Sequence, residues 1–295
     1  MEISKLAQAL NEQYQKGKRD YCMPPLVRRK TGDANTRITD RDCVFFCVRR
    51  GDRQAQMLNA FCDPSFNEFP TERFHSLIFV PLVEHQKKLP HVEALFTTIR
   101  PKNTFGHIIS KMGLRQLRVG ESEKASHVTY FFSGRHFEPY EGEDRIIVPS
   151  PEPGDFVKYP GTSTAEVARL TAEALACGNY SFIFANLAAG DIIGHIDNWN
   201  ANVECAIAVD HALATIRNAA LRNGYFMAVT ADHGLLEQAF HPDGSRSLGH
   251  TMSPVPFSVI GAKVLPAVTG SDRLGQSDPT LADVAPTLLN VMGIP

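Results

Sequence analysis

Apolar residues along this 295-residue chain come in short runs, divided by polar connections marked with proline and glycine. The spacing within those runs alternates between helical and strand-like. Ile3, Leu6, Ala7, Leu10 and Tyr14 recur at helical intervals and predict an amphipathic helix over Met1–Tyr21. Asp42–Val48 (DCVFFCV) predicts a buried strand, Gln54–Phe61 a helix, and Ser76–Val83 (SLIFVPLV) another strand. The character changes around Arg100–Thr104, which places a domain boundary near residue 99 and divides the chain into 1–98 and 99–295. Beyond it, Gly106–Met112 predicts a helix, Leu114–Val119 a strand and His127–Ser133 (HVTYFFS) a further strand. Ser163-Thr-Ala-Glu166 has the letters of a capping box, opening a helix that ends at Gly178. Strand Ser181–Leu187, a segment carrying Asp191 and His195, a long helix through Ala219, strands Tyr225–Thr230 and Val255–Ile260, and a closing helix Ala282–Met292 follow. Strands alternating with helices predict an α/β protein with a mainly parallel sheet flanked by helices, its functional groups gathered at strand C-termini.

Composition narrows the class. Hydrophobic residues make up 43% and charged ones 21%, as in soluble globular proteins. The 30 basic and 32 acidic residues nearly cancel, so no basic footprint for nucleic acid is present. Apolar runs stay shorter than a membrane span, and the first residues lack the apolar core of a signal peptide. Cys22, Cys43, Cys47, Cys62, Cys177 and Cys205 include no CxxC pair and read as buried, reduced thiols, which points to the cytoplasm.

Three clusters carry candidate chemistry. Tyr225–Thr230 is a short apolar strand that delivers Asp232 and His233 at its C-terminal end, followed by Gly234. Asp191 and His195 stand at i and i+4, one helical turn apart on one face. His250 precedes the apolar run Val255–Ile260. Taken singly, each is commonplace, because Asp caps helices and His sits on surfaces. Jointly, three carboxylate and imidazole clusters at strand-to-loop junctions have the layout of a binuclear divalent-metal site without cysteine. Manganese, magnesium or zinc suits such a site. A second set is cationic. Arg50 and Arg53 follow a strand end and Lys124 lies in ESEKASHVTYFF, where guanidinium forks and an ammonium would neutralise a phosphorylated substrate. For Arg145, in GEDRIIVPSP, the neighbouring acids offer local partners, and for His127 and Asn186 a structural role is as plausible as lining a cleft.

The runs KNTFGHIISKMGLRQLRVGESEKASHVTYFFSG, GEDRIIVPSP, ADHG and GHTMSPVPF, with the strand exit FFCVRRGDR, resemble the cofactor-independent (2,3-bisphosphoglycerate-independent) phosphoglycerate mutases of the alkaline phosphatase superfamily. That resemblance implies an alkaline-phosphatase-like fold over 99–295, the metal-binding part, and a partial substrate-binding, transferase-like α/β domain over 1–98. It implies that Asp191, His195 and His250 hold one metal, and that Asp232 and His233 hold part of a second. It puts manganese first and admits cobalt, as one ion or two. Arg50 and Arg53 would bind a phosphoglycerate, with Arg49 an alternative to Arg50 because the family pattern is displaced by one residue there. Lys124 would be catalytic, steadying the phosphoryl group. The implied activity is a glycolytic isomerase interconverting 2- and 3-phosphoglycerate through a phosphoserine. The resemblance covers only the C-terminal part of that family. The segment bearing the serine nucleophile and a further metal-binding aspartate has no counterpart, so the second metal is left short of ligands. Three readings follow: a mutase-type site completed by a second chain or by self-association over the missing N-terminal part; a stand-alone metalloenzyme acting on a small phosphorylated or phosphonate substrate through metal-bound water; and a non-catalytic remnant that binds metal or a partner.

Overall fold

A computed structural model describes residues 4–18, 23–24, 26, 37–47, 51–84, 88–97, 101–261 and 279–294. The chain falls into two units, Met1–Thr98 and Ile99–Pro295. In the first, helix α1 (Lys5–Gln15) is capped by the Ser4 hydroxyl, which accepts from the Ala7 amide at 3.2 Å. Strand β1 (Cys43–Phe46), helix α2 (Gly51–Cys62) and strand β2 (Ile78–Pro81) follow, with β1 and β2 paired in parallel. Val44 and Phe46 turn toward a core of Leu58, Phe79 and Leu89. The alternate residues, Cys43 and Phe45, are exposed, so DCVFFCV is buried on one face only and not on both as expected. Helix α1 buries none of its residues, and Leu6 of its apolar stripe is 62% exposed.

The second unit opens with helix α3 (Phe105–Lys111) and strand β3 (Gln116–Glu121), then strand β4 (Glu143–Val148), helix α4 (Thr164–Cys177) and strand β5 (Phe182–Ala185). The parallel order is β4-β3-β5. All six residues of the central strand β3 are buried. Its odd positions, Leu117 and Val119, pack with Val167 and Ala174 of α4. On the opposite face Arg118 lies over the rings of Phe132 and Phe182, at 4.3 and 5.4 Å, and donates to Gln116 at 2.6 Å. Burial pushes this guanidinium down to about 10, with Glu143 opposing the shift. Short helix α5 (Ala189–Gly194), long helix α6 (Trp199–Arg222), strands β6 (Met227–Thr230) and β7 (Phe257–Ile260) and helix α7 (Val284–Val291) complete the order. Strands β6 and β7 pair antiparallel. Helices α4 and α6 pack through Ala168, Leu175, Ala212, Ile216 and Ala220, small alanines set beside two large aliphatic side chains. No helix among the described residues is long and apolar enough to cross a membrane.

Several local expectations change. HVTYFFS is not a strand: His127–Phe131 is a π-helical turn that follows a 3₁₀ turn over Ser122–Lys124. Val128 and Phe132, one helical turn apart, are its inward residues. Val128 packs on Gly120 and Phe132 under Arg118, while the Thr129 hydroxyl donates back to the Ala125 carbonyl at 2.8 Å. The capping box does not form either. The Ser163 hydroxyl donates to the Pro149 carbonyl at 2.6 Å, and Glu166 pairs with Arg169 at 2.6 Å instead of reaching back. All five described cysteines are free thiols, but only Cys205 is buried; Cys43, Cys47 and Cys177 are exposed.

Two packing contacts generate tests. Gly194 closes α5 under Leu235, where a Cβ would lie 2.5 Å from Leu235 Cδ2 and 2.7 Å from its Cγ. Gly194→Ala should destabilise the unit by about 1–3 kcal/mol, read as a lower thermal midpoint. Leu235→Ala in the same chain should recover part of that loss, whereas strictly additive losses would refute the contact. At the other end of the sheet, Asp144 accepts from the Tyr180 hydroxyl at 2.8 Å and from Arg115 at 2.6 Å. Tyr180 first and Arg115 second lower its pKa below the ordinary 3.8. A depressed carboxyl stabilises above its unfolded pKa and loses that contribution as pH falls through the folded one. Tyr180→Phe should therefore cost about 1 kcal/mol at pH 7, a figure kept small because Asp144 is half exposed. Urea unfolding should show that gap narrowing below about pH 4; a gap constant with pH would contradict the assignment.

Candidate metal centre

The parallel strands β3 and β5 end on the same side, and each delivers part of the site there. Strand β3 runs into the Ser122–Lys124 turn and so presents Lys124. Strand β5 leads into α5, whose core residues Ala189, Ile192 and Ile193 pack with Ala201 and Cys205 of α6. That packing leaves Asp191 and His195 on the opposite face. Strand β6 runs out into Asp232 and His233. Because β7 is antiparallel to β6, with Thr230 opposite Phe257, the segment before β7 brings His250 to the same end. The loops meet at an antiparallel bridge between Gly234 and Thr251.

Asp191 is the centre of the cluster. Its Oδ1 lies 3.1 Å from His250 Nε2, 3.3 Å from His195 Nε2 and 3.6 Å from His233 Nε2. Its Oδ2 accepts a short hydrogen bond from the Lys124 ammonium. One oxygen thus faces three imidazoles while the other holds the cation. Burial works against ionising Asp191, but His195 and Lys124 outweigh it and hold the carboxyl well below its ordinary 3.8. The same hydrogen bond raises His195 above its ordinary 6.5. His195 Nδ1 lies 2.8 Å from the Leu248 carbonyl, so that nitrogen carries a proton and Nε2 is the ring atom turned to the cluster. His233 and His250 stack with ring centroids 3.5 Å apart.

These separations fit a divalent ion. Two donors on one tetrahedral ion at about 2.1 Å stand roughly 3.4 Å apart. Asp191, His195 and His250 are mutually separated by 3.1–3.3 Å. Asp191, His233 and His250 form a second, overlapping group whose donor atoms all lie within 4.8 Å. Asp232 stands at the rim, 71% exposed, with its Oδ2 3.6 Å from His233 Nε2. The donor set is imidazole and carboxylate, without thiolate, and most of it is open to solvent on one side.

The other residues singled out above fare differently. Arg50 lies outside the described residues, and Arg53 falls within α2 with its side chain undescribed. Arg145 donates to Glu143 at 2.6 Å and to the Phe137 carbonyl at 2.9 Å, so its acidic neighbour does engage it. His127 packs edge-on to Phe131, and the Asn186 amide donates to Val119. Sequence reasoning passed over Glu237, Thr251 and the Leu248 carbonyl, which support the cluster from outside. Glu237 stands one helical turn beyond His233 in the sequence, the single local signal for any of them.

Residues 78–295 match the metalloenzyme superfamily, and residues 1–87 match the BPG-independent PGAM N-terminus. The 2,3-bisphosphoglycerate-independent phosphoglycerate mutase of Francisella tularensis subsp. novicida is 35% identical over 288 residues, 97% of this chain and 54% of that protein. The protein of the same name from Pseudomonas aeruginosa is 36% identical over the same shares. Among solved structures, Leishmania mexicana phosphoglycerate mutase, crystallised at low cobalt concentration, aligns with a TM-score of 0.83 and 25% identity, over 99% of this chain and 56% of that one. The chain spans about half the length of the curated relatives it matches. It belongs to the metalloenzyme superfamily, with the 2,3-bisphosphoglycerate-independent phosphoglycerate mutases as its relatives there.

Proposed function

We propose that this chain carries the metal centre of a phosphoryl-transfer site of the phosphoglycerate mutase type. The convergence of Asp191, His195, His233 and His250 around one carboxylate oxygen is the observation that carries the reading. Asp191, His195 and His250 would hold one divalent ion, and Asp232 with His233 would contribute to a second, manganese being the favoured metal. Such ions supply positive charge that clamps and neutralises a transferring phosphoryl group. The substrate class is a small phosphorylated carboxylate, a phosphoglycerate in the first instance.

The chain's own residues divide the remaining work. Asp191 Oδ2 fixes the Lys124 ammonium beside the cluster, where its remaining donors can meet phosphoryl oxygens. The Leu248 carbonyl keeps His195 in the tautomer that offers Nε2. Arg50 and Arg53, in the 1–98 unit, are proposed to grip the carboxylate and phosphate of the substrate as bidentate forks. The half of the relatives' length that this chain does not span is proposed to complete the site, on the same polypeptide or on another chain.

The test is a coupled mutase assay on manganese-loaded protein, with and without a chain supplying the unspanned portion. Metal analysis should find at least one divalent ion per chain. A chelator should remove both ion and activity, and manganese should restore them. Asp191→Ala should lose the ion. Lys124→Ala should keep it while turnover falls by about 10²-fold or more, as when one electrostatic stabiliser is removed. Unmutated protein that binds no divalent ion after purification with manganese would sink the reading.

A further inference from the structure

We propose that Glu237 is a positioning residue that locks the His233 loop to the His250 loop and so sets the geometry of the metal centre. The proposal rests on the reading of that cluster as a metal site. His233 and His250 come from separate loops, and the bridge between Gly234 and Thr251 joins them through one backbone hydrogen bond, Thr251 N–H to the Gly234 carbonyl at 3.0 Å. That bridge fixes one point beside the histidines, and the next, between Phe240 and Arg246, lies farther out along the same two arms. Glu237 supplies further points. Its Oε1 accepts a short hydrogen bond from the Thr251 hydroxyl, the residue after His250. Its Oε2 accepts from the Leu235 amide at 2.6 Å, two residues after His233. One carboxylate therefore holds both loops, and the Ser253 amide donates in turn to Thr251 Oγ1 at 3.3 Å.

The latch passes directly over residue 234. A Cβ there would lie 2.3 Å from both Glu237 Oε1 and Thr251 Oγ1, so only glycine admits it. Glu237 lies outside the donor cluster of Asp191, His233 and His250, and it is exposed to solvent. It holds no apolar core together. What it does fix is the pair of residues flanking the stacked rings of His233 and His250, whose Nε2 atoms face Asp191 Oδ1. Partners that orient metal ligands change ion affinity by about 10–100-fold when removed. The gain comes from ordering two loops before the ion arrives.

Cobalt(II) titration of the full chain, followed by visible absorption and by calorimetry, tests this. Glu237→Ala removes the carboxylate, and Thr251→Val removes the hydroxyl. Each should weaken cobalt binding about 10-fold or more and alter the cobalt absorption bands, which report ligand geometry. Thr251→Ser, which keeps the hydroxyl, should retain both. The double variant Glu237→Ala/Thr251→Val should bind no more weakly than the weaker single variant, because both remove the same link. Should Glu237→Ala fail to fold, Thr251→Val against Thr251→Ser carries the comparison alone. Cobalt affinity and spectrum unchanged in both disrupting variants would overturn the role of Glu237 while leaving the metal centre intact. An unmutated chain that takes up no cobalt would sink the metal-centre reading itself, and the proposal with it.

Discussion

The second unit is arranged around a single carboxylate that shares its two oxygens between different tasks. Asp191 is largely removed from solvent, where an isolated negative charge would cost several kcal/mol. It remains ionised because His195 and the Lys124 ammonium outweigh its burial. Lys124, His195, His233 and His250 each come from a different strand end or loop, so the cluster forms only if the β3 exit, α5 and the residues after β6 take their places together. The demand also explains otherwise arbitrary features. Gly194 must lack a side chain for Leu235 to seat the β6 exit loop against α5. The Leu248 carbonyl must arrive beside His195 for the imidazole to face inward.

The supports of this arrangement differ in kind. Beneath it lies apolar packing: α5 is seated on α6 through Ala189, Ile192, Ile193, Ala201 and Cys205, and β3 is wrapped on both faces. A buried cation at Arg118 is a costly element there, and two aromatic faces, Gln116 and Glu143 offset part of the cost. Above it the loops are held by polar contacts near solvent, each worth little for overall stability. Those contacts matter for where three imidazole nitrogens point rather than for whether the chain folds.

The candidate metal donors stand out in the sequence because local rules govern them. The i and i+4 spacing of Asp191 and His195 needs only a helical turn, and Asp232 and His233 need only a strand that ends. Asp191, His195, Asp232 and His233 fit an α/β order with sites at strand C-termini, whereas His250 precedes β7 and reaches them because β7 runs antiparallel to β6. The supports were illegible for the opposite reason. Glu237 and Thr251 are 14 residues apart in the sequence, and Gly194 and Leu235 meet only after α6 has folded back. HVTYFFS misleads because β-branched and aromatic residues at 128, 129 and 131–132 satisfy strand alternation as well as a helical repeat. Gly120 decides it by admitting Val128 from a turn of helix. Ser163-Thr-Ala-Glu166 has the letters of a capping box, but a distant carbonyl, Pro149, takes the serine.

A consequence for function follows from where the donors reside. Lys124, Asp191, His195, Asp232, His233 and His250 all belong to the 99–295 unit, and so does every contact described here that orients them. Among the described residues the proposed metal donors and their supports thus lie in one unit, whereas the proposed substrate grip, Arg50 and Arg53, lies in the other. Charge neutralisation of a phosphoryl group and recognition of the rest of the substrate are thus assigned to separate units. On that proposal, loss of the substrate grip would cost the choice of phosphate ester before it cost the ion, because specificity comes from the contacts that distinguish one substrate from another and the ion's charge does not.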